Sequence, residues 1–226
     1  MSKRVTIITG ASGVLGRAIA DVAAARGDIV VAVDHGPVER ADSDDWMGLG
    51  GVDLTDPTAA ATAMEAAFQR FGRIDHLLNA VGGFVWQPTN GPLDSWDRMH
   101  RMNVTTVLNA CRAALPHLLQ STAGRIINVG ALGAIQAGAG MGAYAASKAG
   151  VHRLTEALAE ETKATALTVN AVLPSIIDTP ANRADMPDAD VSTWVQPAEL
   201  AAVMLFLASG PASAVTGALV PVKGRV

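Results

Sequence analysis

Tyr144 and Lys148 stand four residues apart in Tyr144-Ala145-Ala146-Ser147-Lys148. On a helix, residues four apart share a face, so this spacing sets a phenol beside an ammonium. A fixed cation near a phenol favours the phenolate and lowers the tyrosine's pKa toward a range useful for acid–base work. Tyr144 is the only tyrosine of the 226 residues. By itself the pair carries no chemistry, because any helical surface can hold it. Its meaning depends on what the chain builds around it.

A second group of residues suggests what that is. Thr9-Gly10-Ala11-Ser12-Gly13-Val14-Leu15-Gly16 follows a β-branched run and opens an Ala-rich helical segment. Glycines between a strand and a helix let the backbone turn tightly and approach a pyrophosphate, whose charge sits at the helix N-terminus. Gly10, Ser12, Gly13, Val14, Leu15 and Gly16 are therefore candidate cofactor contacts. The next apolar run ends at Val33-Asp34. A carboxylate about twenty residues beyond the glycines can accept hydrogen bonds from the adenine ribose hydroxyls. It would also repel a 2′-phosphate, and no arginine immediately follows Asp34. NAD(H) is accordingly preferred over NADP(H). Asp53, in Val52-Asp53-Leu54, has two readings: it reaches the adenine edge together with Leu54, or it starts a turn.

Composition narrows the partners. Half the residues are apolar and the formal net charge is −4, with no basic block, which argues against nucleic acid. No apolar run is long enough to span a bilayer, and no signal-like segment opens the chain. The single Cys111 excludes an internal disulfide and fits a reducing, cytoplasmic setting. The five histidines are scattered without ligand spacing, so no metal site is expected.

The elements that must position these residues follow from periodicity. Apolar, β-branched runs predict strands over 4–9, 28–33, 75–79, 125–130, 166–172 and 218–222. Longer Ala-rich segments predict helices over 13–26, 57–71, 94–119, 142–162 and 197–208. Alternation at this spacing means βαβ units and a parallel sheet. The near-continuous apolar character of the strands means both faces are covered. The expectation is an α/β chain: one Rossmann-type domain over 1–226, a doubly wound parallel β-sheet with helices on both faces. The stretch 178–197, punctuated by Pro180, Pro187 and Pro197, is irregular and follows a strand end. It reads as a substrate-covering lid or as a plain surface excursion.

Taken in order, these features resemble the short-chain dehydrogenase/reductase superfamily across nearly the whole chain. The glycine segment resembles its cofactor loop. Asn79-Ala80-Val81-Gly82 resembles its Asn-Asn-Ala-Gly strand end, with two positions replaced. Asn103 matches the helix asparagine of the catalytic set, and Tyr144 and Lys148 match the catalytic pair. Asn170-Ala171-Val172-Leu173-Pro174 and Thr179 match the segment covering the nicotinamide, which adds Pro174, Ile177 and Thr179 to the cofactor contacts. The resemblance implies that Tyr144 exchanges a proton with substrate and that Lys148 holds the nicotinamide ribose and tunes Tyr144. It implies that Asn103 holds a water linking Lys148 to solvent. Ser147 is read as helix packing or a minor contact. Ser175 stands where a glycine is usual, and one further departure is informative: where the superfamily has a catalytic serine, this chain has Ala131.

A narrower resemblance accommodates that departure. Gly130-Ala131, Gly140-Met141, Val151-His152, Asp178-Thr179-Pro180, Asn182-Arg183 and Met186-Pro187 resemble the dihydropteridine reductase branch. That branch keeps the tyrosine and lysine without the serine. The resemblance implies NADH-dependent reduction of a quinonoid dihydropterin or imine, with Phe84, Trp86, Ala131, Met141, Met186 and Trp194 around the substrate. Two rivals stand beside it. One is an ordinary carbonyl reductase or alcohol dehydrogenase, with Gln136 or a backbone amide in the serine's place. The other is a dinucleotide-binding protein without catalysis. The helices over 94–119 and 142–162 pair across a two-fold axis in the superfamily. With Val107, Leu108, Leu154 and Leu158 on them, a homodimer or homotetramer is expected, unless these residues pack on the chain's own sheet.

Overall fold

A computed structural model describes residues 3–226. Among the described residues the strands are β1 (Val5–Thr9), β2 (Ile29–Val33), β3 (Trp46–Leu49), β4 (His76–Asn79), β5 (Arg125–Val129), β6 (Thr168–Pro174) and β7 (Leu219–Val222). The helices are α1 (Val14–Ala25), α2 (Pro57–Phe71), α3 (Asp94–His100), α4 (Thr106–Leu118), α5 (Gly142–Glu161), α6 (Pro180–Asp185) and α7 (Pro197–Leu207). The strands form one sheet in the order β3-β2-β1-β4-β5-β6-β7, and every pairing is parallel.

β1, Val-Thr-Ile-Ile-Thr, is buried at every position, which is why its apolar residues do not alternate with polar ones. Two apolar layers cover the sheet. One joins it to α2, α4 and α5 through Met64, Ala110, Leu118 and Val151; the other joins it to α1 and α7 through Ile19, Ala23, Leu200 and Met204. α2 shows the local coding of a helix: Asp56 accepts from Thr58 N–H at 2.8 Å, Pro57 takes the first helical position, and Gly72 stops the helix in the left-handed region. Strand order reverses between β1 and β4. A parallel sheet opens a crevice beyond its strand ends at such a point.

Three features differ from the sequence expectation. β3 is additional: a four-residue edge strand containing Gly48, too short to leave a period, that forms by pairing with β2. The stretch 94–119 is continuous helix, but Arg101–Thr105 forms a π-helical turn that offsets α4 from α3. Within 178–197 the chain forms α6, and the two ends of the stretch meet where Ile177 bridges Val195. Val107 and Leu158 lie in the chain's own core, with Leu154 packed against it.

Candidate active site

A cleft of about 670 Å³ opens at the carboxyl ends of β1, β2 and β4. Gly10, Ser12 and Gly13 form one wall, Asp34, Asp53 and Leu54 the far end, and Ala80, Val81 and Gly82 the floor toward β4. The glycine loop has little alternative in sequence. Gly10 has a φ of 68° and a side chain there would meet the Val81 backbone at 2.8 Å; a side chain at Gly16 would collide with the Gly10 carbonyl. The loop therefore folds flat under the N-terminus of α1 and leaves room for a phosphate above it. Asp34 is held by two backbone donors, Ser12 N–H at 2.9 Å and Gly36 N–H at 2.8 Å. Asp53 bears out the turn reading and also lines the cleft. It accepts from the Thr55 N–H and hydroxyl, which hold its carboxyl below the usual range.

The polar wall beyond Gly82 is built by α5 and the π-helical turn. Lys148 is 5 % exposed, and its Nζ donates to the Val129 carbonyl at 2.7 Å. The same ammonium lies beside Gly82, where an added Cβ would sit 3.1 Å away. Burial pushes Lys148 down to about 8. Burial also pushes the Tyr144 phenol up to about 12. This corrects the expectation that the helical neighbour lowers it: Lys148 points to Val129, and desolvation of the phenolate dominates.

Asn103 is wholly buried. Its Oδ1 accepts from Gly83 N–H at 2.8 Å, and its Nδ2 donates to the Gly83 carbonyl at 3.0 Å and to Ser147 Oγ at 2.9 Å. Ser147 in turn donates to the Tyr144 carbonyl at 2.7 Å. The carboxamide is thus engaged by protein, and Asn103 locks the 82–83 segment to α5. Ser147, read from sequence as packing or a minor contact, is the middle of that lock. The π-helical turn that aims Asn103 at Gly83 leaves no sequence signal.

Near Tyr144, Phe84 packs edge-on to the phenol ring with centroids 4.9 Å apart. Trp86, 62 % exposed, donates its indole N–H to the Ala139 carbonyl at 3.0 Å, which ties the 84–87 and 138–141 segments together. Met141 packs under the same segment against Gly133 and Gly138. Ala131 is 3 % exposed at the end of β5. Phe84 therefore packs on the tyrosine, Met141 meets the same Gly133 that faces its ring, and Trp86 holds the 138–141 segment.

Two sequence candidates go elsewhere. Asn79 is buried in the core, accepting from Thr9 Oγ1 at 3.1 Å and donating to Asn128 Oδ1 at 2.9 Å, so it fastens β1, β4 and β5 and does not line the cleft. Trp194 is buried beside a separate cavity of about 360 Å³ with Val195, Val222 and Arg225. Met186 is half-buried at the end of α6. Thr179 caps α6 by accepting from Asn182 N–H at 3.1 Å. Pro174 ends β6, and Ile177 packs against the core at the bridge to Val195. Val14 and Leu15 open α1 with Val14 exposed. The sequence reading missed His35, Arg98, Arg101 and Met102, which line the cleft. They come from segments whose approach to the glycine loop is a property of the topology, not of local pattern. Among the described residues no cluster of His, Cys, Asp and Glu could hold a metal ion, and no helix is long and apolar enough to cross a membrane.

Comparison with known proteins gives a consistent result. A model of the short chain dehydrogenase family matches residues 4–190. The 3-oxoacyl-[acyl-carrier-protein] reductase of Salmonella typhimurium is 30% identical over 237 residues, covering 98% of this chain and 96% of that protein. The 2-(R)-hydroxypropyl-CoM dehydrogenase of Xanthobacter autotrophicus is 32% identical over 248 residues, covering 98% and 97%. Among solved structures, the 3-ketoacyl-(acyl-carrier-protein) reductase from Brucella melitensis complexed with NADH superposes with a TM-score of 0.87 at 30% identity, covering 98% of this chain and 97% of that one. Ligand-free aldohexose dehydrogenase from Thermoplasma acidophilum gives 0.88 at 27% identity, covering 99% and 93%.

Proposed function

The chain belongs to the short chain dehydrogenase family, and within it we propose an NAD(H)-dependent reductase acting on a flat, conjugated C=N or C=O group. The observation that carries this reading is Ala131 beside an otherwise complete set of Tyr144, Lys148 and Asn103. A serine at that wall would hold and polarise a carbonyl oxygen, and losing such a donor costs on the order of 10²–10³ in rate for a carbonyl reaction. A protonated imine or quinonoid system is already electron-poor and needs a proton donor more than an oxyanion donor. Tyr144, pushed up to about 12, is protonated throughout the neutral range and suits that role.

The residues present fit the dinucleotide. The loop from Gly10 to Gly16 would hold the pyrophosphate, Asp34 the adenine ribose, and Asp53 with Leu54 the adenine. Ala80, Val81 and Gly82 would flank the nicotinamide half, with Pro174, Ile177 and Thr179 closing over it. Lys148 has three N–H donors, of which one goes to Val129, leaving two for ribose hydroxyls. The bound cofactor supplies the hydride. Tyr144 gives its proton to the substrate heteroatom, and Asn103, through Gly83 and Ser147, keeps the nicotinamide side of the cleft and α5 in register. Phe84, Trp86 and Met141 offer flat apolar contact to a flat substrate. NAD(H) is preferred because the Asp34 carboxylate would face a 2′-phosphate. A homodimer or homotetramer in the cytoplasm goes with this reading through the family resemblance alone, since Val107, Leu154 and Leu158 are taken up by the chain's own core.

The names of the relatives favour a second reading, reduction of an unconjugated ketone. The Ala131 N–H is engaged by His152 at 3.3 Å, so the oxyanion donor would have to be another group, such as Gln136, exposed on the same segment. The test is NADH oxidation with quinonoid dihydropterin, a cyclic imine and a simple ketone side by side, each repeated with NADPH and with Tyr144→Phe. Faster turnover of the pterin or imine, greater with NADH and lost in Tyr144→Phe, is expected. Efficient ketone reduction with neither C=N substrate turned over would reject the first reading in favour of the second.

A further inference from the structure

The segment that carries Ala131 lies along one face of α5, and three residues spaced by four share that face: Tyr144, Lys148 and His152. Each meets the segment. A Cβ at Gly133 would be 4.0 Å from Tyr144 Cε1, Lys148 Nζ donates to the Val129 carbonyl at 2.7 Å, and Ala131 N–H donates to His152 Nε2 at 3.3 Å. The first two contacts belong to the proton-donating machinery already described. The third has no assigned role. His152 is 3 % exposed, deeper than a surface histidine, and its ring fills the place a side chain at residue 130 would need. A Cβ there would fall 2.5 Å from Nε2 and 2.7 Å from Cδ2, with Leu173 Cδ1 closing the other side at 3.2 Å.

We propose that His152 is a positioning residue that fixes the Ala131 wall of the substrate pocket by accepting the Ala131 N–H, and that Gly130 is the residue that makes room for it. The proposal rests on the reductase reading of the site. Gly130, Ala131 and His152 then form one unit, and the bare wall at Ala131 is a held surface. Without an acceptor, a buried N–H loses its partner and the wall can move. A displacement of about 1 Å next to reacting atoms costs about 10²-fold in rate.

The ring must be neutral to accept at Nε2, which puts its proton on Nδ1. Burial first, then the positive charges of Arg153 and Lys148, hold its pKa below the usual histidine value. Both cations lie on α5 itself. The 130–134 segment and Leu173 bring no titratable group to the ring. The contact is therefore kept through neutral pH.

Four variants test this on the full-length protein. His152→Leu, which fills the space without an acceptor, is expected to lower kcat about tenfold to a hundredfold, with the Kd for NADH unchanged. His152→Gln, which keeps an acceptor, should recover most of that loss. Gly130→Ala should be damaging alone and nearly neutral when combined with His152→Ala, in both rate and thermal unfolding. Amide hydrogen exchange at Ala131 should be at least about tenfold faster in His152→Leu, by loss of its hydrogen bond. Equal rates in His152→Leu and the unsubstituted protein, or Gln no better than Leu, would overturn the proposal. So would a Gly130→Ala cost that is the same in both backgrounds. A protein that turns over none of the panel rejects the reductase reading instead. The Ala131 exchange rate and the unfolding cycle still decide the placement of His152 in that event.

Discussion

The two ends of the parallel sheet treat buried charge in opposite ways. At the amino end, Asp75 is fully buried and surrounded by donors: Arg73 at 2.7 Å, Arg4 at 3.2 Å, Ser121 at 2.6 Å and Val5 N–H at 3.0 Å. Burial alone would raise its pKa, but Arg73, Ser121 and Val5 outweigh that and hold it at about 2. Asp28 beside it takes Arg26 and Thr6, both at 2.6 Å. At the carboxyl end, Lys148 is also buried, yet among the described residues it meets a neutral carbonyl and no carboxylate. The Tyr144 hydroxyl has no protein partner among the described residues. Paired charges at one end join strands to each other. A buried cation without a counter-ion at the other end is a standing cost that the fold carries for something it binds.

Substitutions with opposite signs would break this comparison. Lys148→Met is expected to lower kcat/KM by about 10²–10³, since it removes the donors left for the nicotinamide ribose. It should also raise stability at neutral pH by about 1–3 kcal/mol, because a lysine held near 8 against an ordinary 10.5 is charged at a penalty. Turnover and urea unfolding on the same preparation check both halves. A less stable Lys148→Met protein would mean that the bond to Val129 outweighs desolvation. At the other end, Asp75→Asn should cost about 1–3 kcal/mol by weakening the charge-assisted bonds from Ser121 and the Val5 N–H, while the folded fraction keeps its kcat.

Acid sharpens the same contrast. Burial holds His76 down at about 4, next to Arg26 and Asp28. Above pH 6.5 the ring is neutral in both folded and unfolded chains. Between 6.5 and about 4 the unfolded chain binds a proton that the folded chain refuses, so stability falls with pH, by about 3 kcal/mol in all. Asp75 adds a second loss only below 3.8, as pH approaches its folded value of about 2. Urea midpoints from pH 7 to 4 measure the first window. His152, also held below the ordinary value by burial, adds to the same fall, so a flat profile would mean that both rings take up their protons in the fold.

The sequence carried the site where chemistry is local and lost it where chemistry depends on approach. Gly10 to Gly16 and Asp34 are legible because a turn, a helix start and a strand end each impose a residue type within a few positions. Tyr144 and Lys148 are legible as a spacing, but spacing does not measure desolvation, and desolvation sets both of their pKa directions. Asn79 and Trp194 misled because a polar residue at a strand end and a large aromatic in a loop have the same letters whether they face a ligand or the core. Asn103 lies at the right place on its helix. Its partners, Gly83 and Ser147, are chosen by the π-helical turn, which a hydrophobic pattern does not encode. β3 escaped for a related reason: it exists by pairing with β2, not by its own propensity.

Ala131→Ser asks whether the one departure from the family pattern sets what the carboxyl end can do. Gly133, two residues on, lies beside the Tyr144 ring, and the Ala131 backbone is already tied to His152. A serine would add one hydroxyl without moving that tie. Simple ketone reduction is then expected to rise about tenfold to a hundredfold, somewhat less than the full worth of a preorganised oxyanion donor. Turnover of the conjugated C=N substrate should change by less than threefold, on the order of one neutral hydrogen bond or below. Steady-state kcat/KM on both substrates measures the two effects together. A gain on the ketone alone ties substrate choice to this wall. An equal gain on both would mean that the hydroxyl acts on Tyr144 rather than on the carbonyl. No gain on the ketone would mean that another donor already fills the position, and the carboxyl end would be less incomplete than its lone lysine and bare alanine make it.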